Sequence, residues 1–211
     1  MKKKERAAAI YARLAKRYPT PKPALTWSNP WELLVATALS AQCTDERVNM
    51  VTPVFFERWP EIKDAAEADV TDIEEVVRST GFFRNKAKNV KAAATRIMGE
   101  YGGEVPQTMA ELITLGGVAR KTASIVLSNA FGVNEGIAVD THVKRLAFRM
   151  GLTTKTDPIP IEKDLMPLYP RDDWGKINHY LVFYGREICP ARKPKCDICE
   201  LNDICPKKGV K

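Results

Sequence analysis

The chain has 211 residues, 45% of them hydrophobic, which suffices for one large or two small cores. No run of about 18 apolar residues occurs, so a membrane-spanning helix is excluded, and Glu5, Arg6, Arg13, Lys16 and Arg17 interrupt the N-terminus before any stretch long enough for a secretory signal. A cytoplasmic protein is expected. The formal charge of +7 and pI near 9.1 point to a polyanionic partner without choosing which polyanion.

Helix signals dominate the first half. Asn29 and Pro30 supply a cap and a first-turn proline ahead of Trp31, Leu33, Leu34, Ala38 and Leu39. Thr44 or Asp45 starts a helix in which Val48, Val51, Val54 and Phe55 recur at helical spacing until Pro60. Asp69 to Arg78 reads as a helix ended near Gly81, and a polar-rich helix from about Asn85 to Tyr101 is closed by Gly102 and Gly103. No convincing period-two alternation and no Asn-Gly hairpin between β-branched runs appear. The predicted fold class is all-α, with linker-like stretches only at Thr20 to Pro23 and Thr153 to Pro160.

The segment Leu115-Gly116-Gly117-Val118-Ala119-Arg120-Lys121-Thr122-Ala123 lies between a short helix at Met109 to Thr114 and renewed helical periodicity from Arg120 to about Phe131. Glycines there let the backbone turn tightly and approach a partner closely, and the first N–H groups of the next helix face outward at its positive dipole end. Such a hairpin is either a phosphate seat or an ordinary tight turn between packed helices. Lys121 falls in the first helical turn, where the dipole disfavours a cation, so a merely structural lysine would sit better at the other end. In Ile137-Ala138-Val139-Asp140-Thr141-His142-Val143-Lys144-Arg145, Asp140 is placed to cap a helix running to Gly151. A plain cap is the default reading.

Four of the five cysteines, Cys189, Cys196, Cys199 and Cys205, stand near the C-terminus with spacing C-x6-C-x2-C-x5-C. Four thiolates in so short a stretch can close around one centre. Structural zinc sites usually set their ligands as two close pairs, and a single close pair favours a cubane [4Fe-4S] cluster over zinc. Disulfides are the remaining alternative, disfavoured without a secretory signal. Between the first two cysteines lies the basic loop Pro190-Ala191-Arg192-Lys193-Pro194-Lys195. Pinned at both ends, it can present Arg192, Lys193 and Lys195 to phosphates as one unit. The fifth cysteine, Cys43, reads as a small buried hydrophobe. His142 reads equally as a structural histidine or as a contact to the target.

In order, LSAQCTDERVN (Leu39 to Asn49), GFFRNKAKNV (Gly81 to Val90), GEVP (Gly103 to Pro106), LGGVARKTASIVLSNAFG (Leu115 to Gly132), VDTHVKR (Val139 to Arg145) and the four-cysteine tail make the chain resemble the endonuclease III family over nearly its whole length. The resemblance implies two helical domains with a DNA cleft between them. One is a helical barrel carrying the helix-hairpin-helix, at 24–134; the other joins 1–23 to 135–211 and holds the iron-sulfur cluster. It also implies a bifunctional DNA glycosylase and abasic-site lyase acting as a monomer at the nucleoid, on double-stranded DNA with a damaged base or abasic site, oxidised pyrimidines above all.

By that resemblance Lys121 is the nucleophile and Asp140 its catalytic carboxylate. A free lysine titrates near ~10.4, so a nucleophilic one needs its amine form favoured by burial, neighbouring cations or a helix N-terminus. Lys121 is expected to have all three. A carboxylate nearby would act in the opposite sense, so Asp140 is better suited to stabilising an oxocarbenium-like sugar. Gln42 matches the family's gap-filling glutamine, and Phe82 falls at its apolar wedge, usually leucine, with Phe83 as the rival for that place. The hairpin departs from the family at Gly116, usually proline, which is expected to loosen the turn. It departs again at Ala119, usually glycine, whose methyl is expected to hinder phosphate approach. Competing readings are a mismatch-specific thymine or adenine glycosylase of the same superfamily, and a non-catalytic iron-sulfur DNA-binding or redox-sensing module.

Overall fold

The computed structural model describes residues 1–21 and 23–210, so Lys22, inside the Thr20 to Pro23 linker, lies outside the described residues. Among the described residues there is no strand, and no helix is long and apolar enough to cross a membrane. The α-helices in chain order are α1 (Lys3–Arg17), α2 (Pro30–Leu39), α3 (Asp45–Arg58), α4 (Ile62–Glu67), α5 (Val70–Val77), α6 (Phe83–Glu100), α7 (Met109–Leu112), α8 (Arg120–Ala130), α9 (Thr141–Arg149), α10 (Pro158–Leu165) and α11 (Trp174–Glu187). The chain divides into two compact units, one of Pro23–Val133 and one of Met1–Lys22 with Asn134–Lys211.

In the 23–133 unit the capping residues do what their chemistry dictates. Asn29 accepts from Glu32 N–H, Thr44 from Arg47 N–H and Asp69 from Thr71 N–H, each satisfying a donor that the helix start leaves open. Helix α2 is apolar nearly all round and buries Trp31, Leu33, Leu34, Val35, Ala36 and Leu39. The same core takes in Val48 and Phe55 of α3, Ile73 and Val77 of α5, Ala94 and Ile97 of α6 and Leu127 of α8. Cys43 is half-buried at the edge of this core, less enclosed than its sequence suggests.

The other unit has its own core, in which α1 contributes Ala7, Ile10 and Leu14, α9 contributes Val143, Leu146 and Ala147, and α11 contributes Ile177, Leu181 and Tyr184. The linker expected at Thr153 to Pro160 is shorter, because Pro158 opens α10 with Asp157 at the N-cap. Proline fits a first helical position, since the N–H it lacks would have no helical partner there. Helix α6 likewise starts earlier than expected, at Phe83.

Candidate active site

Thr108 caps α7, accepting from Glu111 N–H at 3.3 Å, and the chain then folds over Leu115 to Val118, with Val118 N–H donating to Leu115 O at 3.1 Å. Gly117 has φ +73°, and a Cβ there would lie 2.9 Å from the Cβ and Nδ2 of Asn89. At Gly116 a Cβ would lie 2.8 Å from the carbonyl oxygen of Asn89. The hairpin is therefore seated on α6, and the room that a smaller residue leaves at Gly116 is filled rather than loose. Arg96 Nη1 ties it further, donating to Thr114 O at 2.9 Å.

Ala119 is the N-cap of α8 at φ −84° and ψ 166°, an ordinary extended conformation, so its methyl demands no special backbone. It offers no side-chain acceptor, whereas Asn29, Thr44, Asp69, Thr108 and Asp140 all do at their own helices. The first turn of α8 thus presents N–H groups at the positive dipole end, uncapped by the preceding residue. Lys121 is exposed in that turn. Of the three expected influences, burial is absent and the helix N-terminus is present.

In the same unit the two turns expected to enter DNA share an unusual backbone. Gln42 has φ 53° and Phe82 has φ 49°, left-handed values that non-glycine residues rarely adopt. Phe82 is 64% exposed. Phe83 is half-buried against the core, with the guanidinium groups of Arg78 and Arg84 at 5.6 and 5.2 Å from its ring centroid. Of the two aromatics, Phe82 is the exposed one.

In the other unit Asp140 caps α9, its Oδ1 accepting from Val143 N–H at 2.8 Å. Next to it His142 Nδ1 lies 3.1 Å from Arg145 Nη2, and burial lowers the histidine pKa despite the opposing pull of Asp140. Helix α11 passes close at Gly185, where a Cβ would lie 2.9 Å from His142 Nδ1. Arg145 donates to the carbonyls of Gly185 and Cys189, at 2.9 and 3.1 Å from Nη2. Buried Arg149 donates to Pro190 O at 2.7 Å, to Ala191 O at 2.8 Å and to Cys189 Sγ at 3.2 Å. Sequence reasoning gave these two arginines no role, although Arg145 closes the VDTHVKR motif.

The four C-terminal cysteines share one neighbourhood. Burial pushes the Cys205 thiol up, and Cys199, Cys189 and Cys196 all push it the same way. Tyr184 Oη lies 3.1 Å from Cys199 Sγ. With Arg149 on Cys189, two sulfurs of the set have hydrogen-bonding groups beside them, of the kind that tune an iron-bound thiolate. The donor set fits an iron-sulfur cluster. Helix α1 is bound to this region by Arg13, whose Nη2 donates to Asp203 at 2.9 Å, and by Arg17, which pairs with Glu187 and Glu200. Arg192, Lys193 and Lys195 are exposed, Lys193 at a left-handed φ of 51°.

The model for the HhH-GPD superfamily of base excision DNA repair proteins matches residues 35–171, and that for the iron-sulfur binding domain of endonuclease III matches 189–205, which begins and ends on a cysteine of the set. Endonuclease III of Synechocystis sp. is 55% identical over 204 residues, covering 97% of this chain and 93% of its own. A solved endonuclease III trapped as a covalent intermediate with DNA is 39% identical with a TM-score of 0.93, covering 98% of this chain and 97% of that one. A thermostable thymine-DNA glycosylase shares the fold at a TM-score of 0.87 and 21% identity, covering 96% of each chain.

Proposed function

Because this chain belongs to the endonuclease III family, within the helix-hairpin-helix superfamily of base excision DNA repair proteins, we propose that Lys121 is its nucleophile and Asp140 its catalytic carboxylate. The protein is a DNA glycosylase and abasic-site lyase that carries a [4Fe-4S] cluster. The observation that carries the catalytic assignment is the exposed lysine in the uncapped first turn of α8, directly after the glycine hairpin. Oxidised pyrimidines in duplex DNA are the substrates, and a monomer acting at the nucleoid is the working unit.

Lys121 Nζ, as free amine, bonds to C1′ of the flipped nucleotide while the glycosidic bond breaks and its electron pair leaves with the base. Asp140 stabilises positive charge on the sugar and takes the proton that the amine gives up. The C1′–O4′ bond then breaks, O4′ taking up the proton held by Asp140, and the protonated imine left between Lys121 and C1′ acidifies the 2′ protons. Loss of one of them expels the 3′ phosphate oxygen and cuts the strand, and water releases the unsaturated sugar from the enzyme. Gly116, Gly117 and Ala119 hold the phosphate beside the hairpin, Gln42 and Phe82 fill and wedge the opened stack, and Arg192, Lys193 and Lys195 contact the backbone. Cys189, Cys196, Cys199 and Cys205 hold the cluster, which serves as a cross-link for the C-terminal segment.

Borohydride reduces the imine to a stable crosslink, so wild type should be trapped on an abasic duplex and Lys121→Ala should not. Asp140→Asn should fold and bind DNA while releasing base about 100-fold more slowly or worse. Normal trapping by Lys121→Ala, or a wild-type single-turnover rate for Asp140→Asn, contradicts the respective role.

A further inference from the structure

Lys86 is a charged side chain that the catalytic scheme leaves unused, and only 6% of it is exposed. Its ammonium donates to Leu39 O at 2.8 Å and to Thr80 O at 2.7 Å. Leu39 ends α2, and Thr80 ends the 3-10 turn that follows α5. Directly beyond these two carbonyls come the turns that carry Gln42 and Phe82, the two non-glycine residues of this unit with positive φ. Each turn closes locally, Cys43 N–H donating to Ser40 O at 3.1 Å and Lys86 N–H to Phe82 O at 3.1 Å. The Lys86 side chain bridges one to the other. Burial lowers its pKa, with the Cys43 thiol acting in the opposite sense.

We propose that Lys86 is a positioning residue for lesion recognition: a single buried ammonium clips together the two turns that carry Gln42 and Phe82, so that the gap-filling and wedging side chains are presented as one rigid pair. The proposal rests on the assignment of those two side chains to the opened base stack. Left-handed φ at a non-glycine residue costs energy and persists only where the surroundings over-determine it. A cation shared by two carbonyls supplies that determination, because charge-assisted hydrogen bonds exceed neutral ones in strength and their loss leaves both buried acceptors unpaired.

The test compares borohydride trapping on an abasic duplex with trapping on the same strand left single, where no stack has to open. Lys86→Met should slow trapping on the duplex by about tenfold or more, while its single-strand rate stays that of wild type. Lys86→Gln, which keeps one donor group, should fall between. Lys86 acts through Phe82, so combining Lys86→Met with Phe82→Ala should cost less than the sum of the single losses. Equal slowing on both substrates, strict additivity in the cycle, or loss of the helical signal in both Lys86 variants would each overturn the proposal, the last by making Lys86 a requirement of the core. A duplex-specific loss in Phe82→Ala with wild-type behaviour in Lys86→Met rejects the positioning role alone. No duplex loss in Phe82→Ala rejects the wedge assignment, and the clip falls with it.

Discussion

At Gly116 a methyl group would lie 2.8 Å from the carbonyl oxygen of Asn89 and 3.1 Å from the Cβ of Ala92. Neither atom can swing aside as a flexible side chain could, so either α6 or the hairpin must shift to admit it. Gly117 is held more tightly still, because its φ of +73° adds backbone strain to the contact with Asn89. These distances reverse a tempting engineering argument. Gly116→Pro would install the family's usual residue and stiffen the unfolded chain, which in an open site would stabilise. Here it should instead lower unfolding stability by about 1–3 kcal/mol through overpacking and weaken binding to an abasic duplex, with Gly116→Ala showing a smaller loss. Denaturant unfolding measures the first effect and fluorescence anisotropy the second. A midpoint at or above that of wild type would mean that α6 yields at no cost.

The basic loop is an element defined by its ends. Lys195 N–H closes it on Ile188 O at 2.9 Å, and Arg149 holds Pro190 O and Ala191 O from beneath, leaving Arg192, Lys193 and Lys195 exposed. If the three touch phosphates, Arg192→Ala or Lys193→Ala should weaken damaged and undamaged duplexes by a similar factor. Each should also flatten the plot of log affinity against log salt by roughly 0.9. An unchanged slope in both would make the loop a solvated cover over the cysteines. Legibility from sequence follows the range of the forces involved. Helices α2, α3, α5 and α9 were readable because cap and periodicity are local, lying within a few residues of each other. Helix α4 is only six residues long, α10 begins inside a proline-bearing stretch that reads as a linker, and the N-cap of α11 makes no side-chain bond. Lys86 and Arg149 were invisible for the converse reason. Leu39 is 47 residues from Lys86 and Pro190 is 41 from Arg149, and a cation in a polar helix reads as solvated until the fold buries it.

Among the described residues the buried apolar side chains separate into two cores, one drawn from Trp31 to Leu127 and the other joining Ala7, Ile10 and Leu14 to residues between Ile137 and Leu201. The second closes only when the N-terminal helix meets the segment after α11, and the links that hold it there fall among the cysteines: Arg13 on Asp203, Arg17 on Glu187 and Glu200, Tyr184 beside Cys199. Exposed ion pairs of this kind contribute little alone. A cluster bonded to four points of the same segment supplies the missing local free energy, because in small metal-bound regions metal binding and folding are one equilibrium. The purified protein should therefore be brown, with about four irons and four labile sulfides per chain, and Cys196→Ser should lose both. Amide hydrogen exchange on that variant should rise through 3–17 and 189–205 while protection in α2, α6 and α8 stays near wild type, since those helices bury their apolar faces in a core that contains none of the four cysteines. One zinc per chain would refute the iron-sulfur centre, and loss of protection in both cores together would show a single cooperative unit in place of two.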